Sequence, residues 1–78
     1  MSRIFEHISG RKFYIIDKIG DYTLLMSANE NAVDKYIVAV HLNRELKEWG
    51  FGYYFENSVD AFEEFKTRAE EGQKVKGE

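Results

Sequence analysis

The chain reads as a small α+β domain: an antiparallel sheet of three to four strands, five if a short N-terminal edge joins it, with one C-terminal helix packed on one face. Three observations predict this. Between residues 12 and 55, aromatic and β-branched residues come in short runs broken by Gly, Asn and Asp. After residue 58 the apolar spacing lengthens to that of an α-helix. The 78 residues include neither proline nor cysteine and are 44% apolar. That composition suits a packed core and excludes a disulfide scaffold, a thiolate metal site and a disordered linker.

Residues 3–8 can supply an edge strand. Lys12–Ile19 (KFYIIDKI) and Tyr22–Ala28 (YTLLMSA) flank Gly20-Asp21, a two-residue break that signals a hairpin with Gly20 free to take positive φ. Asn29–Asp34 (NENAVD) is a polar loop of turn-favouring residues. Lys35–Leu42 (KYIVAVHL) is the most strand-like run, and Phe51–Phe55 (FGYYF) is a short aromatic strand. Asn43–Trp49 between them fits either a helical turn or a hairpin loop with Trp49 folded over the sheet. The flanking strands are placed to pair, which favours the loop.

Val59, Phe62, Phe65 and Ala69 mark the inner face of the helix, with Ser58 as N-cap and Asp60 complementing the dipole. Gly72 is placed to end it in the left-handed conformation. The domain then spans 1–72, with a frayed tail over 73–78.

The strands are apolar on both faces. Strict alternation sets Phe13, Ile15 and Ile19 against Tyr14 and Ile16, and Tyr22, Leu24 and Met26 against Thr23 and Leu25. It sets Ile37 and Ala39 against Tyr36, Val38, Val40 and Leu42, and Phe51, Tyr53 and Phe55 against Tyr54. One helix, about 10 Å wide, covers one face only. The other face is hidden by curling of the sheet under Trp49 and the N-terminal segment, or it meets a second copy of the chain, or it meets a different protein.

Net charge is −3, from 11 basic and 14 acidic residues, too acidic a balance to favour direct nucleic-acid binding. Residues 1–42 hold five basic and five acidic side chains. Glu56–Glu71 holds six acids against Lys66 and Arg68, a local net of −4. This is the solvated outer face of a helix or a docking surface for a basic partner. Chemistry is sparse. His7 and His41 have no ligand spacing, and Asn29, Glu30, Asn31 and Asp34 do not follow a calcium-loop order. No phosphate loop or nucleophile elbow occurs, so neither catalysis, a metal nor a cofactor is expected. No apolar run suits a signal peptide or a membrane span, which leaves the cytoplasm as the expected compartment.

The segment Trp49–Arg68 (WGFGYYFENSVDAFEEFKTR) carries Trp49, Gly50, Tyr54, Phe55, Ala61 and Phe65 in a strand, acidic turn and helix. In this it resembles small proteins of bacterial phages and mobile elements, some of which are anti-defence inhibitors, including anti-CRISPR proteins. The resemblance implies action by occupying a partner's surface, and it transfers no functional residue. The expectation is therefore a non-catalytic protein-interaction module. Its contact candidates are Tyr14, Tyr36, Trp49, Tyr53 and Tyr54 on the sheet and Glu63, Glu64, Glu70 and Glu71 on the helix. The competing expectation is a small nucleotide- or metabolite-binding domain whose pocket forms at a homodimer interface.

Overall fold

Short β-rich runs joined by tight turns leave neighbouring strands little choice but to pair in sequence, and they do. The computed structural model describes residues 3–77, with 72–77 described by backbone alone. Five strands, β1 (Ile4–Glu6), β2 (Lys12–Ile19), β3 (Tyr22–Ser27), β4 (Tyr36–Asn43) and β5 (Glu48–Phe55), precede one helix, α1 (Ser58–Gly77). The sheet order is β1-β2-β3-β4-β5 with every pair antiparallel, an uninterrupted meander.

Gly20 takes φ +59° in the two-residue turn between β2 and β3. The β4–β5 connection is a loop, as expected, but only Arg44 to Lys47 remain outside the ladder, because Asn43 pairs with Glu48. Asn43 Oδ1 accepts the backbone N–H groups of Glu45 and Leu46 at 2.9 and 3.0 Å, and Lys47 closes the loop at φ +59°. β5 therefore starts three residues before the expected Phe51.

Two irregularities overturn the strict alternation of faces. Between Ile15 and Asp17 the register of β2 on β3 shifts, so Ile16 is an extra residue and parity inverts beyond it. Ile19 consequently packs with Leu24, Val38 and Phe65, away from Phe13 and Ile15. In β4, His41 sits at φ +59° and makes no ladder pair with Gly50. Beyond this kink Leu42 and Trp49 join the face of Ile37 and Ala39 instead of the face of Val38.

The helix covers the face carrying Leu24 and Val38 and packs on β3, β4 and β5. Its buried residues are Ala61, Phe65 and Ala69, four apart. Val59 and Phe62, expected on this face, are exposed, because steps of three fall about 60° short of a turn and rotate them away from Phe65. The cap also differs from the expected Ser58. Asn57 Oδ1 accepts the Asp60 N–H at 2.8 Å, and its amide donates to the Asp60 carboxylate at 3.0 Å. The helix continues past Gly72 to Gly77, where a stop and a tail were expected. Glycine tolerates a helix interior at a cost of about 1 kcal/mol. Glu78 lies outside the described residues.

The opposite face is closed by curvature. A flat sheet would hold β1 and β5 four strand spacings, about 19 Å, apart. Instead the Phe5 and Trp49 rings lie 5.9 Å apart, and the Ile8 N–H donates to the Lys47 carbonyl at 2.7 Å. The two edges thus meet over a concave face on which Leu25, Ile37 and Ala39 are completely buried. Among the three readings of the second face, this is the curled sheet. Among the described residues, no helix is long and apolar enough to cross a membrane.

Closure of this face sets two expectations. Leu25→Ala should cost about 2–5 kcal/mol in urea unfolding, the range for a fully buried leucine, while Phe62→Ala stays within about 0.5 kcal/mol. A small cost at Leu25 would mean the concave face is open to water. Thr23 is also buried, and its hydroxyl has no hydrogen-bond partner. Thr23→Val should raise stability by about 1 kcal/mol by removing an unsatisfied polar atom, and a loss in the same assay would show that the hydroxyl is bonded.

Candidate functional site

Where the two edges meet, the β1–β2 turn faces the start of β5 and a cleft opens between them. Trp49 forms one wall. Its indole lies across β5 because Gly52 has no side chain: a Cβ there would stand 2.9 Å from Nε1 and 3.1 Å from the Tyr54 hydroxyl oxygen. The indole N–H points at Tyr54 Oη at 3.4 Å. The imidazole of His7 packs on the indole with centroids 4.8 Å apart, and Phe13 meets it edge-on at 5.5 Å.

The other wall is the turn from His7 to Arg11, closed by His7 N–H to the Arg11 carbonyl at 2.7 Å and Gly10 N–H to the His7 carbonyl at 2.8 Å. Gly10 occupies φ +95°, a conformation other residues rarely adopt. His7 Nδ1 accepts the Ser9 N–H at 3.1 Å and lies 2.9 Å from Ser9 Oγ. Because Nδ1 is an acceptor, the ring proton of the neutral imidazole resides on Nε2. The Arg11 guanidinium sits over the Phe13 ring, 5.1 Å from its centroid. Together His7, Ser9, Arg11, Phe13, Trp49 and Tyr54 enclose about 130 Å³.

Ser9 and His7 are within hydrogen-bond distance, but the nitrogen that would act as base already receives a backbone N–H. No carboxylate lines the cleft to orient the far nitrogen. Among the described residues no three His, Asp or Glu side chains gather to hold a metal.

The aromatic contact candidates divide. Trp49 and Tyr54 share the cleft. Tyr36 and Tyr53 are half-buried in the layer under the helix and so do not lie on an uncovered face. Tyr14 is exposed on β2, opposite Ile4 on β1. The four glutamates form two rows, since residues seven apart align: Glu63 with Glu70, and Glu64 with Glu71. Each row is interrupted by a cation. Lys66 lies between Glu63 and Glu70 and reaches over Phe62, 5.6 Å from the ring centroid. Arg68 pairs with Glu64 and stacks on Tyr53, 4.0 Å from its centroid. Partial desolvation works against the Arg68 charge, but the Glu64 hydrogen bond and carboxylate charge prevail, and its pKa is raised. Glu64 is thus engaged within the fold rather than presented to a partner.

His7, Ser9 and Arg11 were not among the residues expected to matter. Nothing in their own sequence neighbourhood marks them, because their role depends on meeting Trp49, 38 to 42 positions later in the chain. No protein-family model matches this chain, and neither the curated proteins nor the solved structures give a match.

Gly52→Ala tests the geometry of the cleft wall. A Cβ in contact with a rigid indole should cost about 1–3 kcal/mol and shift the emission of the single tryptophan. Unchanged stability together with unchanged emission would show that the indole does not lie over Gly52.

Proposed function

We propose that this chain is a non-catalytic protein-interaction module. The supporting observation is the part of the helix-side face that the helix leaves bare. α1 packs on β3, β4 and β5, and on the β1–β2 side Ile4, Tyr14 and Ile16 remain 47%, 44% and 40% exposed. Phe62, 48% exposed, lies on the flank of the helix turned away from Arg68 and hence from β5. Tyrosine beside aliphatic groups is the composition enriched at protein contacts, and apolar clusters on a small surface mark such contacts.

In its concrete form, the module is an inhibitor borne by a phage or mobile element that occupies a host defence protein. The resemblance of Trp49–Arg68 supports that version. The helix glutamates form a secondary contact, reduced by the engagement of Glu64 with Arg68.

The test compares the chain with a Tyr14→Ser, Ile16→Ser double variant. Light scattering on a size-exclusion column would report self-association, and affinity capture from a bacterial lysate would report a heterologous partner. The expected result is a retained protein, or a dimer, that the double variant loses while its unfolding midpoint stays close to that of the parent. Equal retention by both, or no association by either, overturns the proposal.

A further inference from the structure

We propose that the cleft between Trp49 and Arg11 binds a small organic anion carried on a flat ring, an aromatic carboxylate or aryl phosphate. This goes beyond the interaction-module reading and does not depend on it. Three features of the cleft point to that chemistry.

The first is the polarity of its lining. Arg11 offers only donors. His7, with Nδ1 occupied by the Ser9 N–H, offers Nε2–H. Tyr54 receives the indole N–H at its oxygen, which leaves its own O–H to donate. None of the six lining residues is acidic, in a chain with 14 acidic side chains. Three donor-bearing side chains on one lining with no carboxylate beside them suit an anionic oxygen group.

The second is the aromatic wall. Phe13, Trp49 and Tyr54 line the same small space, and the indole is held against Phe5, His7 and Phe13 at 5.9, 4.8 and 5.5 Å. Rings fixed in this way cost little further ordering when a flat ligand stacks on them. Arg11, parked over Phe13 at 5.1 Å, keeps a charged planar group beside the same surface.

The third is size and place. About 130 Å³ is close to the roughly 150 Å³ that takes one benzene ring, so the cleft seats a single flat ring with its anionic group at the open mouth and is too small for a drug-sized molecule. The cleft sits at the rim of a concave sheet, a position favoured for ligand sites. Arg11 also borders a neighbouring surface cleft of about 320 Å³, with Lys12 and Asn29 among its lining residues. Whatever the ring is attached to has room to extend past the guanidinium.

The sole tryptophan lies in the cleft wall and reports occupancy directly. Benzoate and phenyl phosphate are titrated into the full chain, with benzylamine as a ring of opposite charge and inorganic phosphate as an anion with no ring. Saturable change in Trp49 emission, with matching shifts of its indole N–H signal in NMR spectra, is expected from benzoate or phenyl phosphate. The tighter of the two identifies the anionic group. Arg11→Gln should weaken binding at least about tenfold, the loss expected for a charge-assisted contact. Arg11→Lys, which keeps charge and loses the planar fork, should fall between. The proposal is overturned if neither anion saturates by either readout, if benzylamine or inorganic phosphate binds as well as benzoate, or if Arg11→Gln binds like the parent.

Discussion

With five strands and one helix, the sheet has a second apolar face that no other element can cover, and bending is the way it is hidden. The bend brings the β1–β2 turn onto the β4–β5 loop, where the Ile8 N–H meets the Lys47 carbonyl. Everything on the concave side follows from that closure, from the complete burial of Leu25, Ile37 and Ala39 to the position of Trp49. The backbone supplies the curvature locally. An extra residue at Ile16 and a left-handed residue at His41 each break the regular ladder, and such breaks sharpen twist where a flat sheet would resist it.

The same closure separates two kinds of surface. On the helix side, α1 sits over β3 to β5 and leaves an exposed apolar strip along β1 and β2. On the concave side, the meeting edges bring together rings and donors that are far apart along the chain. The proposed protein contact would draw on the first surface and the proposed small ligand on the second. They lie on opposite faces of a single sheet, so occupying one does not require vacating the other.

The elements were largely legible in the sequence, because β-branched runs, a Gly-Asp turn and a change of period report local preferences that tertiary packing did not override. The faces were less so. Alternation was carried through Ile16 as though every residue counted, yet one extra residue inverts the parity of all that follows, and Ile19 moved to the helix side. On the helix, a pattern spaced by threes competed with Ala61, Phe65 and Ala69 spaced by fours. The fours won: Ala61, Phe65 and Ala69 are the described helix residues that are buried. Trp49 does fold over the sheet, but from within β5 rather than from the loop before it. Its partners His7, Ser9 and Arg11 were not legible, since no local pattern encodes which turn a curled edge will reach.

β1 is the smallest element, three residues whose one sheet neighbour is β2, and yet its Phe5 completes the concave core. Closure therefore depends on the shortest strand of the sheet. Such a strand is the natural first unit to detach in native-state fluctuations, ahead of the β3–β4–β5 body clasped by the helix. Lifting it would take Phe5 from beside Phe13 and Leu25, as a latch is lifted. Binding across the cleft would hold that latch shut and slow amide exchange in β1 and β2 more than elsewhere.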